Sequence, residues 1–255
     1  MRVSGEAILK KKKESQVLVA KYFPGKDVPI APPGFTNVLI HTSPNTLGGP
    51  LSPYLLKDED GCILENKWQF SKFYRHVSKQ RIPLGKYHKD TIIWEHPEEE
   101  HSKDENGVLT PNDAYWAWRQ KGMRNQYAVR YPNGFEGRRK CICSIHIVGD
   151  QTSRLSYIEA RKQIYCAEYA RLAPRTDAFK QLKSLLNQGS SLQIIEVDGP
   201  DPSLTFPPYD QISKENPGLL ITEETIRMLV NDERKPFGHG YVIAALLLGG
   251  EEWMK

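Results

Sequence analysis

Two groups of residues in this chain have the types and the spacing that sugar or phosphate chemistry needs. In the first group, the acidic segment Glu196-Val197-Asp198 ends an apolar run, and Gly238-His239-Gly240 opens directly into the apolar run Tyr241–Leu248. The first N–H groups of a helix lack partners inside the helix and carry partial positive charge. A carboxylate at a strand end facing such a helix start suits a sugar or a phosphate. An ordinary buried strand and a core helix are the alternative interpretation.

The second group consists of Glu65 and Lys72, which lie seven positions apart. The pattern predicts a helix over Glu65–Val77, with Trp68 and Phe70 on its apolar side. Seven residues of helix make two turns, so both side chains would project from one face, about 10 Å apart along the axis. A solvent-exposed surface pair is the alternative interpretation.

The elements that must position these groups indicate an α+β fold. Apolar periodicity predicts helices over Ser156–Leu172 and Ala178–Asn187, and Thr222 is the predicted cap of a helix over Glu223–Val230. A strand is predicted over Leu192–Val197. Shorter elements are predicted at Val38–Ile40, Ile92–Trp94, Asn112–Lys121, Tyr127–Tyr131 and Cys141–Val148. We therefore expect a helix-rich single domain with a small mixed or antiparallel sheet.

Proline usage divides the chain. Six prolines lie in residues 1–50, so this part is expected to be a Pro-rich N-terminal segment packed on a domain formed by residues 51–255. Residues 83–150 have an irregular pattern, and within them Tyr115–Arg130 mixes aromatic and basic side chains. That mixture is typical either of a surface that binds a nucleic-acid strand or a base, or of half-exposed core residues. Both interpretations stay open at this point.

Composition limits the classes of function. A net charge of +4 permits an anionic ligand without requiring nucleic acid. The four cysteines include no Cys-x-x-Cys pair, and no apolar run reaches membrane-spanning length, so we expect a cytoplasmic protein with free thiols and no membrane partner. A Gly-Lys-Ser/Thr phosphate loop is absent. Pro97 prevents a helical presentation of His96 and His101, so neither a metal nor a cofactor is predicted.

Several stretches together resemble the NADAR superfamily, the YbiA-like N-glycosidases. The family has a Glu, then an aromatic residue at the fifth step and a Lys at the seventh, which Glu65, Phe70 and Lys72 match. Tyr157 then stands in place of a Trp, and Arg161 follows it four residues on as in the family. The Leu-rich stretch Leu182–Leu186 with Gly189 matches next, followed by the pair Glu196 and Asp198. The last match is Phe237-Gly238, which leads into Ala244-Ala245-Leu246. The resemblance covers residues 50–78 and 155–250.

The resemblance implies cleavage of an N-glycosidic bond between ribose and a base. The family's substrate types are riboflavin-pathway intermediates and ADP-ribose attached to guanine bases, so the implied partners are a ribosylated or phosphorylated small molecule, or ADP-ribosylated nucleic acid. The implied catalytic residues are Glu65 as acid or base, Asp198 for ribose hydroxyls or positive charge, and Lys72 for phosphate or amine attack. The implied substrate-binding residues are Trp68 and Tyr157 for the base, with Arg161, Gly238, His239 and Gly240 for phosphate.

The chain also departs from the family pattern. Gly240 stands where the family has Asn, Ile243 stands where it has Gly, and the Lys after the central Arg is missing near Tyr169. Residues 83–150 are interpreted as an insertion without a counterpart. Two other functions therefore stay open: a catalytically silent module that binds a nucleotide or nucleic acid, and a nucleotide-modifying enzyme of another reaction type.

Overall fold

The computed structural model confirms an α+β single domain. It describes residues 15–23, 25–40, 46–74, 77–83, 91–96, 101–103, 105–129, 141–213 and 216–255, with the backbone alone for 77–83, 91–96 and 101–103. The strands are β1 (Val17–Lys21), β2 (Phe35–Leu39), β3 (Lys72–Tyr74), β4 (Val77–Pro83), β5 (Thr91–His96), β6 (His101–Lys103), β7 (Leu109–Pro111), β8 (Cys141–Val148), β9 (Gln151–Leu155), β10 (Ser191–Glu196) and β11 (Gly218–Leu220).

In the described parts of the chain, six helices accompany these strands. They are α1 (Leu64–Phe70), α2 (Asp113–Met123), α3 (the continuous parts Tyr157–Ala160, Arg161–Cys166 and Ala167–Leu172), α4 (Asp177–Asn187), α5 (Glu223–Asn231) and α6 (His239–Leu247). The middle part of α3 is π-helical. The predicted helices in the second half of the chain are confirmed. Local side chains explain their starts: Ser156, Thr176 and Thr222 each accept a hydrogen bond from a backbone N–H in the first turn.

The main sheet is mixed, with the strand order β11-β1-β10-β2. β10 lies between β1 and β2 and is parallel to both, while β11 is antiparallel to β1. All six residues of Ser191–Glu196 are buried, as a near-continuous apolar run in a central parallel strand requires. The register pairs Lys21 with Glu196, so the carboxyl ends of β1 and β10 lie side by side.

Helix α6 forms the centre of the larger core. Every residue from Gly240 to Leu247 is buried, and the helix packs on β1, β10 and α4. A helix that is apolar on all sides must be covered on all sides, which the surrounding sheet and helices accomplish. Its first turn consequently lies at the end of β10, as predicted for the Gly238-His239-Gly240 segment.

A second core forms around α1, α2 and the sheet β3-β8-β9. Tyr115 and Trp118 of α2 are buried there against Phe70 and Phe73. A Cβ at Gly122 would lie 2.1 Å from the Phe70 ring, so only glycine allows α1 and α2 to approach this closely. Within Tyr115–Arg130, the aromatic side chains of Tyr115 and Trp118 therefore serve core packing. The open question about this segment is thus resolved for these two residues.

Two expectations about chain organisation need correction. Residues 1–50 contribute strands of the main sheet, because β1 pairs with both β10 and β11 and β2 pairs with β10. Val17–Lys21 and Phe35–Leu39 are therefore part of the domain's own sheet rather than of a segment packed on it. The strand predicted over Tyr127–Tyr131 is also wrong for residues 127–129, which have no regular structure; Arg130 and Tyr131 lie outside the described residues.

Residues 125–129 are instead held by one buried side chain. Asn66 donates to the carbonyls of Asn125 and Tyr127 and accepts from the N–H of Val129 at 2.8 Å. The region interpreted as an insertion thus packs directly on α1. Among the helices that the structure describes, none combines the length and apolar character needed to cross a membrane.

Candidate active site

The carboxylate of Glu65 begins a hydrogen-bonded row of three side chains. Glu65 lies in the first turn of α1 and is 6% exposed. The amide nitrogen of Gln69, one turn later, donates to Oε1 of Glu65 at 2.7 Å. The amide oxygen of Gln69 accepts from Nζ of Lys72 at 2.9 Å. The amide side chain of Gln69 therefore connects an acidic group to a basic group, and the predicted pair does meet on one side of α1.

The prediction that one helix carries both Glu65 and Lys72 was wrong. A helix over Glu65–Val77 would carry Lys72 two turns beyond Glu65, but α1 ends at Phe70 and Lys72 opens strand β3. Ser71 closes the helix by donating from its hydroxyl to the carbonyl of Trp68. The chain then turns into β3, because Phe73 and Tyr74 are buried in the second core and pair with β8. From this strand, Lys72 is connected to Glu65 through the amide of Gln69.

Aromatic rings line the site beside this row. The ring centroid of Trp68 lies 6.0 Å from that of Tyr157 and 5.4 Å from that of Tyr165, and Nζ of Lys72 lies 4.5 Å from the Trp68 ring centroid. Tyr157 is 42% exposed, which leaves ring surface for a planar ligand. We call Trp68, Tyr157 and Tyr165 the aromatic wall. The structure thus brings together Glu65, Lys72, Trp68 and Tyr157.

Arg161 does not have the predicted position of a phosphate ligand. Its side chain is 1% exposed, and its guanidinium donates to four backbone carbonyls at the carboxyl end of α5 and beyond it: those of Leu229, Val230, Asp232 and Lys235. The last carbonyls of a helix lack hydrogen-bond donors inside the helix. The guanidinium of Arg161, on α3, provides donors for the carbonyls at the end of α5. The guanidinium also lies 4.7 Å from the centroid of the Tyr157 ring. Its role is to fix α5 and to support Tyr157.

The start of α6 is occupied by a side chain of this protein. Glu196, at the end of β10, is fully buried and has Oε2 3.1 Å from Nδ1 of His239. A Cβ at Gly238 would lie 2.3 Å from Oε1 of Glu196, and one at Gly240 would lie 2.8 Å from the same oxygen. Both glycines therefore make room for a carboxylate. The prediction that Gly238-His239-Gly240 cradles an external phosphate is corrected: the carboxyl group of Glu196 occupies this helix start.

Position 240 must also be small. A Cβ there would lie 2.8 Å from Oε1 of Glu196, so Gly240 leaves room for the carboxyl group. Gly238 is the N-cap residue and has no side chain to cap the helix. The carboxyl group of Glu196, from the neighbouring strand, occupies the place of a capping side chain.

Opposing influences act on the proton of Glu196. Burial, the largest influence, and the negative charge of Asp198 raise the pKa of Glu196 to about 8, although the N–H groups of Gly240, His239 and Tyr241 favour its ionised form. The carboxyl group therefore stays largely protonated at neutral pH.

This raised pKa predicts a pH-dependent stability. Because the folded protein holds the Glu196 proton up to about pH 8 while the unfolded chain releases it near 4.5, the contribution is present in acid and is lost as the pH rises through 8. We expect the free energy of unfolding to fall by at most about 1.4 kcal/mol per pH unit over this window. Denaturant titrations of wild type and Glu196→Gln from pH 5 to 9 measure it. Parallel curves for the two proteins would contradict the assignment.

Two buried tyrosines that the sequence analysis missed lie between the two acidic groups. Tyr165 and Tyr169 stack edge to face at 5.2 Å, and Tyr169 donates to the carbonyl of Leu51. Burial raises the pKa of both hydroxyls well above the usual value, and the charges of Glu65 and Glu196 raise them further. The pKa values of the two tyrosine hydroxyls therefore depend on the charges of both Glu65 and Glu196. The four-residue spacing of these tyrosines within a predicted helix is the sequence feature that could have identified them.

Asp198 belongs to the Glu196 end of this region. It lies in the turn after β10, is exposed, and raises the pKa of Glu196 and of Tyr241 through its charge. This position leaves its carboxylate accessible to a ligand. The side chains of His96 and His101 lie outside the described residues.

Comparisons of the chain with protein-family models, with curated proteins and with solved structures found no match.

Proposed function

We propose that this protein hydrolyses the N-glycosidic bond between ribose and a base in a nucleotide-like or ADP-ribosylated substrate. The observation that carries the proposal is the row Glu65–Gln69–Lys72 beside the half-exposed ring of Tyr157. It combines a carboxylate for proton transfer, a cation for a phosphate and a flat surface for a base. The resemblance to the NADAR superfamily supplies the bond on which such a group of residues acts.

The chemistry requires one proton to leave water and one to reach the base. The water oxygen bonds to C1′ of the ribose as the bond from C1′ to the base nitrogen breaks, and the electron pair of that bond stays on the nitrogen. Glu65 accepts the proton of the attacking water and gives it to the nitrogen of the leaving base, roles for which carboxylates serve in glycoside hydrolysis generally. Its hydrogen bond from Gln69 fixes the direction of the carboxylate.

Lys72 and the aromatic wall would hold the substrate. Nζ of Lys72 is fixed by Gln69 and lies over the ring of Trp68, so its charge is directed beside the wall and suits a phosphate. Tyr157 packs against the guanidinium of Arg161, and its exposed ring surface would stack on the base. Asp198, exposed in the turn after β10, would bind ribose hydroxyls.

The test is a substrate panel with a measurement of free base. Ribonucleotides, riboflavin-pathway intermediates and ADP-ribosylated DNA are incubated with the protein, and the released base is identified by mass. Tyr157→Ala should raise the KM of the accepted substrate roughly 5- to 100-fold, because stacking on an aromatic ring contributes about 1–3 kcal/mol per base. Phe23→Ala, which alters an aromatic ring that is 45% exposed on the loop after β1, is the matched control and should leave KM unchanged.

The outcome separates the functions left open by the sequence. Tight, salt-dependent binding of an oligonucleotide without release of base would indicate a silent binding module instead. A product of altered mass that retains its base would indicate a nucleotide-modifying enzyme of another reaction type.

A further inference from the structure

A cavity of about 550 Å³ borders the carboxyl ends of β1 and β10. It is lined by residues of the segment between β1 and β2 and by residues of the segment between β10 and β11. Ligands often bind in the crevice outside the carboxyl ends of parallel strands, and this volume is in the range of small-molecule sites. None of the lining residues belongs to the Glu65–Gln69–Lys72 row or to the aromatic wall, so the cavity is a second candidate site.

Proline rings make the walls of this cavity rigid, because each ring fixes the backbone φ angle. The amide nitrogen of Asn37, on β2, donates to the carbonyl of Pro29 at 2.8 Å. The amide nitrogen of Gln193, on β10, donates to the carbonyl of Ile30 at 3.3 Å. We call the site the proline cavity, after its lining prolines Pro29, Pro32, Pro33, Pro200, Pro202 and Pro217. Its walls are therefore held in place before a ligand binds, which lowers the entropic cost of binding.

The segment after β10 is fixed by a close approach of two backbones. A Cβ at Gly199 would lie 2.7 Å from the carbonyl oxygen of Ala20, so this segment rests directly on the end of β1. The surface that the cavity presents is mostly apolar, since all its lining residues except Lys21 and Asp27 are apolar. Among them, the ring of Phe23 is 45% exposed. An apolar ligand with a flat ring would cover this aromatic surface.

The two charged groups of the proline cavity are not paired with each other. Nζ of Lys21 lies 5.3 Å from the centroid of the Phe23 ring and 3.7 Å from Oδ2 of Asp201, which is longer than a hydrogen bond. Asp27 is exposed, and within the described parts of the chain its carboxylate forms no ion pair. The cavity therefore offers one cation and one anion, and each can take a ligand group of opposite charge.

We propose that the proline cavity binds a free aromatic amino acid. Its carboxylate would pair with Lys21, its ammonium group with Asp27, and its ring would lie between the proline walls beside Phe23. A ligand with an anionic group alone would leave Asp27 unpaired, and a phosphate dianion would also be repelled by Asp201. A zwitterion with an apolar side chain matches both charges and the walls. The inference does not depend on the proposed hydrolysis.

The ligand class is tested by calorimetric titration of the full-length protein with L-phenylalanine. Phenylalaninamide, which lacks the carboxylate, should bind at least about tenfold more weakly, because a hydrogen-bonded charged group is lost. N-acetylphenylalanine, which lacks the ammonium group, should bind roughly two- to fivefold more weakly, since Asp27 is exposed to water. No binding of L-phenylalanine up to about 10 mM, or equal affinity for either derivative, would overturn the inference.

The residues are tested by matched substitutions. Lys21→Met should weaken the binding of L-phenylalanine at least about tenfold, and Asp27→Asn roughly two- to fivefold. Lys26→Met and Asp210→Asn make the same changes at exposed positions outside the cavity lining and should leave the affinity unchanged. Because Asp27 is exposed, its variant keeps the test valid if Lys21→Met does not fold. Wild-type affinity in Asp27→Asn would overturn the inference, whereas base release is measured separately and tests only the proposed function.

Discussion

Glu65→Gln should lower the rate of base release roughly 100- to 10,000-fold, the range that a positioned general acid or base contributes. Glutamine keeps an oxygen that can accept from Gln69, so the hydrogen bond of 2.7 Å and the packing of α1 persist. It cannot accept the proton of the attacking water at neutral pH. We therefore expect kcat to fall while KM and the melting temperature stay near their wild-type values.

Glu224→Gln provides the matched control for this change. It makes the same chemical substitution at an exposed position in the first turn of α5 and should leave kcat unaffected. The measurement is steady-state release of the base from the substrate identified by the panel, with melting followed by circular dichroism. If Glu65→Gln releases base at the wild-type rate, Glu65 is not the catalytic base. If it unfolds, the residue is structural.

Arg161→Met should destabilise the fold by about 3–5 kcal/mol, because it removes a buried charged group and leaves its partners unpaired. The four carbonyls of Leu229, Val230, Asp232 and Lys235 would each lose the hydrogen bond that the guanidinium donates. Methionine fills part of the volume but donates no hydrogen bond. We expect a lower midpoint in urea denaturation with little change in the slope.

Arg161→Lys separates this structural role from phosphate binding. Lysine keeps the charge but cannot present the planar fork that reaches several carbonyls, so we expect an intermediate loss of stability. A phosphate ligand would behave differently, since its loss raises KM for phosphorylated substrates and leaves the urea midpoint in place. Arg227→Lys on the exposed side of α5 is the control, and its stability should match the wild type within about 0.5 kcal/mol.

The local elements of the second half of the chain could be predicted from sequence. Ser156 and Thr222 marked the predicted helix starts, and both residues cap helices in the structure. The apolar run before Glu196 predicted a buried strand, which is β10. The run Val17–Lys21 carried an equally clear signal for β1 that the proline-rich surroundings obscured. Signals of this kind are local, because capping and periodicity act within one or two turns or strands.

The sequence by itself determined the α+β class and the helix starts in the second half of the chain, and it made Glu65 a candidate acid or base. Only the tertiary structure decided which partner each charged group has. Arg161 meets a carbonyl 74 positions away, and Glu196 fills the helix start expected to bind phosphate. Lys72 reaches Glu65 from a strand through Gln69. The physical reason is that a buried charge must be satisfied by whichever groups the packing brings to it, and those groups leave no pattern near it in the chain.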